Sequence, residues 1–234
     1  MASKKKIFKN YLKKNDAYFT HAYEAPNVES FIFRFYGRIL THDFNITGKN
    51  KEKVFDFGCG RGGNLSLFHK KGFKVFGADI AKKDISIAKK TMPSRKNCFK
   101  VIDPKPKEEL IFFKNTKFDI VICIQTLIFL SDSDMKIAIE NIYKNMNKGA
   151  ILYVSMDAYS HYYRKNAKYI KDGLWNVKFD NGRVKYDIFV NYTRNKNHMK
   201  RRFKLFKPIY IDSYDMQFRH EGSEKRYTFC GIKE

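Results

Sequence analysis

Two carboxylates with a run of glycines between them are the residues of this chain best placed to do chemistry: Asp56, then Gly58, Gly60, Gly62 and Gly63, then Asp79. Glycines lack a Cβ, so their main chain can come directly against a ligand. A carboxylate at the end of the following strand can accept hydrogen bonds from both hydroxyls of a ribose. Gly58 and Asp79 are 79 − 58 = 21 residues apart, close to the roughly 20 of such a unit. The elements that must hold these groups are legible on either side. Residues 54–57 read as a short buried strand, and residues 64–71 as a helix with Leu65, Leu67 and Phe68 apolar. Residues 74–78 read as a second strand that ends at Asp79. Strand, glycine turn, helix, strand and acid make a nucleotide-binding half-unit.

The spacing Gly58-x-Gly60-x-x-Gly63 also meets the dinucleotide pattern, which brings in NAD or FAD. Asp56 argues against both. Two residues before the first glycine, it faces the ligand end of its strand, where it repels a pyrophosphate held at a helix N-terminus. S-adenosylmethionine has no phosphate and carries an ammonium and a sulfonium, which the same acid attracts. The run Asp56, Phe57, Gly58, Cys59, Gly60, Arg61, Gly62 resembles the first motif of the class I S-adenosylmethionine-dependent methyltransferases, with Asp79 as their second-strand acid. Gly72, Phe73, Val75, Gly77 and Ile80 extend the resemblance, which covers residues 49–156.

The resemblance implies an α/β fold with a doubly wound, mostly parallel seven-stranded sheet of Rossmann-like type. It implies S-adenosylmethionine as cofactor and S-adenosylhomocysteine as product. Cofactor contacts are then expected from Asp56, Gly58, Cys59, Gly60, Asn64, Asp79 and Ile80, and from Asp103, whose carboxylate would accept from the adenine amino group. Without the resemblance Asp103 reads equally as a loop acid before Pro104. Pro26, Asn27, Glu29, Ile32, Arg34 and Phe35 resemble the entry helix of a bacterial subgroup. That implies an approach of Arg34 to the cofactor's methionine carboxylate; the alternative is an arginine on a solvated helix face.

Composition bounds the reading. The 234 residues, 43% hydrophobic and 16% aromatic, suit one folded domain with an elaboration. Its expected parts are an N-terminal helical cap (1–48), a cofactor-binding core (49–156), a β-rich insertion acting as a lid (157–193), and a final helix with an antiparallel hairpin (194–234). The longest apolar run, residues 120–130, is about half a membrane span and is interrupted by Gln125. The four cysteines are scattered, with no pair at metal-ligand spacing, so no metal and a reduced, cytoplasmic setting are expected. Net charge is +23, from 36 Lys and 11 Arg against 24 acids. Phosphate and base recognition leans on arginine forks, so this lysine-rich charge reads as a solvated coat. Nucleic acid is disfavoured as a partner, and an acidic small acceptor drawn by the field is expected.

A helix is predicted over 28–40, from the recurrence of Phe31, Phe35 and Ile39. Further helices are predicted over 80–90, 131–147 and 194–206, and further strands over 98–102, 117–124 and 149–155. Two strands joined by an Asn181-Gly182 turn, over 175–192, and a closing pair over 207–212 and 226–232 complete the expectation. Gln125 falls on the rim where open α/β sheets bind ligands. Methyl transfer needs alignment more than side-chain chemistry. An oxygen acceptor would benefit from a base, for which Tyr18, His21 and His161 are the candidates, each otherwise a packed or surface residue. No Asn/Asp-Pro-Pro-aromatic run follows the fourth strand, and no Pro-Cys pair is present. The expected activity is O-methylation of a nucleotide-linked or surface-polysaccharide sugar, with an RNA methyltransferase as the alternative. A non-enzymatic methyltransferase-like subunit and an NAD-dependent oxidoreductase stand further off. Oligomeric state is not legible.

Overall fold

Five short runs rich in Val, Ile and Phe become the parallel part of one sheet, as expected of strands buried on both faces. They are β1 (Lys53–Phe57), β2 (Lys74–Asp79), β3 (Phe99–Val101), β4 (Phe118–Ile124) and β5 (Met146–Asp157). The computed structural model describes residues 27–180, 185–217 and 222–234. Three strands follow, β6 (Ala167–Lys171), β7 (Leu174–Asp180) and β8 (Lys185–Asn191), and then β9 (Lys207–Tyr214) and β10 (Arg226–Ile232). The main sheet has the order β3-β2-β1-β4-β5-β10-β9. Neighbours among β1 to β5 pair in parallel, while β10 runs antiparallel to both β5 and β9. The order reverses between β1 and β4, and a crevice opens at their carboxyl ends.

Side chains alternate between the two faces, so each strand feeds two cores. Phe55 and Phe57 of β1, Val121 and Cys123 of β4, and Leu152 and Val154 of β5 belong to one. Val54, Ile120, Ile122 and Ile151 belong to the other. The first core is covered by α4 (Asp132–Lys144) and α5 (Lys196–Arg202), through residues such as Ile139, Met199 and Phe203. The second is covered by α1 (Ser30–Arg34), α2 (Gly63–Lys70) and α3 (Lys82–Thr91), through Ile32, Leu65 and Ile85. α1 runs on as a π-helical turn, Phe35–Asp43, whose Phe35 ring stacks on Tyr153 at 4.1 Å. Ser131 caps α4, its Oγ accepting from the Asp134 amide at 3.2 Å.

The doubly wound sheet matches the expectation; the differences lie in the additions. The segment expected as two strands holds three, in the order β6-β7-β8. β6, Ala-Lys-Tyr-Ile-Lys, is an exposed edge strand without a buried face, so its sequence carries no strong strand signal. The Asn181-Gly182 turn lies outside the described residues, although β7 and β8 pair in register up to Asp180 and Lys185. α5 stops at Arg202, four residues short of its predicted end.

Candidate active site

A cavity of about 870 Å³ occupies the carboxyl rim of the sheet, between the first turn of α1, the glycine turn, and β8. Four glycines were expected to expose backbone to a ligand; Gly58, Gly60 and Gly63 line the cavity, and they differ in the room left for a side chain. A Cβ on Gly60 would meet nothing within 4 Å, so this residue opens onto the cavity. At Gly58 a Cβ would strike Thr126 Oγ1 at 2.1 Å, and at Gly62 the Met92 methyl at 2.8 Å. At Gly63 it would lie 2.0 Å from the Asn27 carbonyl oxygen. At these three glycines the missing Cβ lets parts of the protein come together, whereas Gly60 alone of the four leaves open space where a Cβ would be.

Asp79 sits across from Gly60. Its Oδ2 accepts from the Gly60 amide and its Oδ1 from the Ala81 amide, both at 2.8 Å. Burial raises its pKa, and these amide donors act against that rise. The carboxylate is therefore held rigidly while retaining lone pairs toward the cavity that it lines. Asp56 is placed differently from the expectation. It is 1% exposed, does not line the cavity, and its Oδ1 has no hydrogen-bond partner among the described residues. Burial, followed by the nearby Asp79 charge, pushes its pKa well above the usual carboxylate range.

Cys59 lines the cavity, but its Sγ lies where a Cβ on Gly77 would be 2.6 Å away, and burial raises its thiol well above normal. Asn64 also lines the cavity, and its Oδ1 accepts from the Glu29 amide at 3.1 Å, fastening the start of α1 to the start of α2. Ile80 and Asp103 are on the wall. Asp103 accepts from the Lys105 amide and pairs with Lys107 at 3.2 Å, which holds its pKa low. Gln125 lines the cavity in a left-handed conformation, φ 52°, with its amide donating to Ser155 Oγ at 3.0 Å. A non-glycine residue in that region is uncommon, and such residues cluster at functional sites.

The model of a methyltransferase domain matches residues 28–203. The chain belongs to the methyltransferase-domain family. No curated protein matches the sequence. A methyltransferase from Methanosarcina mazei, described as SAM-dependent, is 16% identical, with TM-score 0.65 over 88% of this chain and 98% of that one. The CcbJ methyltransferase from Streptomyces caelestis is 10% identical, with TM-score 0.64 over 96% and 98%. The glycopeptide N-methyltransferase MtfA, solved with S-adenosylmethionine, is 10% identical, with TM-score 0.56 over 81% and 90%. These likenesses establish the shared fold.

The other end of this methyltransferase's cavity is built from residues that sequence reading did not single out. Asp157, at the end of β5, accepts from Arg226 Nε through Oδ1 at 3.1 Å. Arg226 Nη1 lies 3.5 Å from Glu224 Oε2. Asp157 and Arg226 face each other in register because β10 is antiparallel and starts at the rim where the parallel strands end. That rim position was a usable signal for Asp157; the arrival of Arg226 depends on topology alone. Phe33 and Glu29 of the N-terminal segment line the same space, as do Tyr163, Ile188 and Val190. Arg34 does not: its side chain is exposed and off the cavity wall. His161 is 1% exposed and also off the wall, stacked on Tyr162, with Nδ1 accepting from the Tyr163 amide. Burial lowers its pKa. Tyr18 and His21 lie outside the described residues.

Proposed function

We propose that this methyltransferase uses S-adenosylmethionine and acts on a small molecule. One observation carries the cofactor: the Gly60 amide is already occupied by the Asp79 carboxylate. A diphosphate would need that amide and would meet a fixed negative charge in its place. A ribose needs the opposite, an anchored acceptor, and the same carboxylate supplies it. The remaining contacts extend from there. Ile80 and Asp103 would flank the adenine, and the Gly58–Gly60 turn with Gln125 and Asn64 would take the methionyl end.

When bound, the cofactor supplies a methyl group on a sulfonium leaving group. The chain's own residues then orient the acceptor and exclude water. Ile128, Phe129 and Leu130 form an apolar wall beside Gln125. We take residues 157–193 as the roof, since Ile188 and Val190 of β8 line the cavity opposite the glycine turn. A cytoplasmic setting agrees with four free cysteines, and among the described residues no helix is long and apolar enough to cross a membrane.

An O-methylated sugar linked to a nucleotide loses support from the lining. Among the described residues six acids line the cavity, Glu29, Asp79, Asp84, Asp103, Asp157 and Glu224, against Arg61, Lys70 and Arg226. An RNA acceptor is no better placed. In the basic run Lys200-Arg201-Arg202, the last is turned inward, with its side chain 8% exposed and paired to Asp132 at 2.9 Å. Calorimetry with S-adenosylhomocysteine tests the proposal. Wild type should bind, and Asp79→Ala should lose about 1.5–3 kcal/mol of affinity through its charge-assisted ribose contacts. Absence of binding by wild type, or an unchanged affinity in the variant, would refute it.

A further inference from the structure

The acceptor end of the cavity is lined, among the described residues, by more acids than bases, unlike the molecule around it. Asp157 is the centre of that end. Its side chain is 4% exposed, yet it lines the cavity, and only Oδ1 is engaged, by Arg226. No hydrogen bond from any described residue reaches Oδ2. The guanidinium that holds Oδ1 is shared with Glu224, and Glu29 contributes a third carboxylate to the same lining. Among the described residues, three acids thus lie around one base, Arg226. Two further polar atoms, His161 Nε2 and Tyr192 Oη, are buried without a hydrogen-bond partner among the described residues. Asp157 is a charge felt by both side chains.

We infer that the methyl acceptor is a small amine with an apolar body, and that Asp157 Oδ2 receives its N–H. The inference rests on the methyltransferase reading above and names the substrate class of that same site. A carboxylate or phosphate on the acceptor would be repelled by three acids in a partly dry space. A neutral hydroxyl is not drawn by the carboxylate's charge, and its proton is far less acidic than an ammonium's, so Asp157 is a poorer base for it. An ammonium is attracted to the site and needs only to give up one proton. That proton passes from the R–NH3+ group to Asp157 Oδ2, leaving R–NH2 with a free lone pair and Asp157 as the neutral acid. The acid returns its proton to water when the product leaves. Arg226 on Oδ1 keeps the receiving oxygen pointed into the cavity, and Tyr163, Ile188 and Val190 surround the apolar remainder.

The test uses three near-isosteres, phenethylamine, 2-phenylethanol and phenylacetate, as ligands for the full chain saturated with S-adenosylhomocysteine. Binding is followed by ligand-observed NMR and titrated to a Kd. The amine should bind about tenfold tighter than the alcohol, with the acid weakest. Asp157→Asn should bring the amine down to the level of the alcohol while S-adenosylhomocysteine affinity stays unchanged by calorimetry. Binding of the acid at the level of the amine, failure of the amine to bind, or an amine preference that survives Asp157→Asn would each overturn the inference. The wild-type ranking decides the matter even if the variant does not fold. Failure of S-adenosylhomocysteine itself to bind would strike instead at the cofactor assignment, so the two failures are distinguishable.

Discussion

Gly60 and Gly63, three residues apart in one turn, do unlike work, and substitution separates them. An alanine at Gly60 meets no neighbour, but it must hold φ +50°, at a cost of about 1–2 kcal/mol. Its methyl also enters the cavity. Gly60→Ala should therefore lower S-adenosylhomocysteine affinity markedly while lowering Tm by only a few degrees. An alanine at Gly63 puts its Cβ against the Asn27 backbone and must push away the start of α1. Gly63→Ala should cost roughly 1–3 kcal/mol of stability, seen as the larger Tm loss of the pair. If both variants lost stability and affinity in the same proportion, the division of roles would fail. His198 gives a pH dependence at the same scale. Burial, with Arg202 beside it, lowers its pKa from 6.5 to about 4, and Nδ1 accepts from the Arg194 amide. The folded chain keeps it neutral where the unfolded chain protonates it. Its contribution is therefore full above pH 6.5 and is lost as pH falls toward 4. Melting curves of wild type and His198→Gln should converge on acidification through that window. A constant gap would contradict this assignment.

Between elements, the insertion is fastened more firmly than a hinged lid requires. Arg202, in α5, reaches Asp132 at the start of α4, Thr193 Oγ1 at 2.9 Å, and Asn191 Oδ1 at the end of β8. Asn191 Nδ2 in turn donates to the Leu130 carbonyl and to Asp132. Asp172, in the turn between β6 and β7, takes the Ser133 amide and hydroxyl, using helix donors that have no partner within the helix. Two separate ties thus hold the three-stranded sheet to the N-terminus of α4. Removing the guanidinium leaves Asn191 and Thr193 buried with lost partners, while Asp132 remains half exposed to water. Arg202→Ala should cost about 1–3 kcal/mol and raise hydrogen exchange in β7 and β8 ahead of β1 and β4. Uniform exchange across both sheets would mean that the network is not what holds the roof.

At the scale of the whole molecule, charge is divided between surface and cavity. The chain carries +23, while among the described residues the cavity lining holds six acids and three bases. A lysine-coated exterior binds polyanions loosely through released counterions, and such binding is steeply salt-dependent. Mixed RNA should be retained at about 50 mM salt and released by about 200 mM, without preference among sequences. Retention at the higher salt, or methylation of RNA by the purified chain, would return the RNA reading to first place. Total charge describes the long-range field, whereas the site senses the few groups within several ångströms of it.

The pattern of sequence alone determined the half-unit from β1 to Asp79, the parallel strands, and so the doubly wound sheet and its family. These features rest on local periodicity and on contacts between segments adjacent in the chain, which composition and spacing record directly. Tertiary structure alone decided which glycine has open space at its Cβ position, that Asp56 is buried off the cavity wall, and that Arg34 and His161 stand off it too. It alone brought Asp157 to Arg226, 69 residues away, through the antiparallel return of β10. Such pairings depend on how strands are ordered in space, and no spacing within the chain encodes that order.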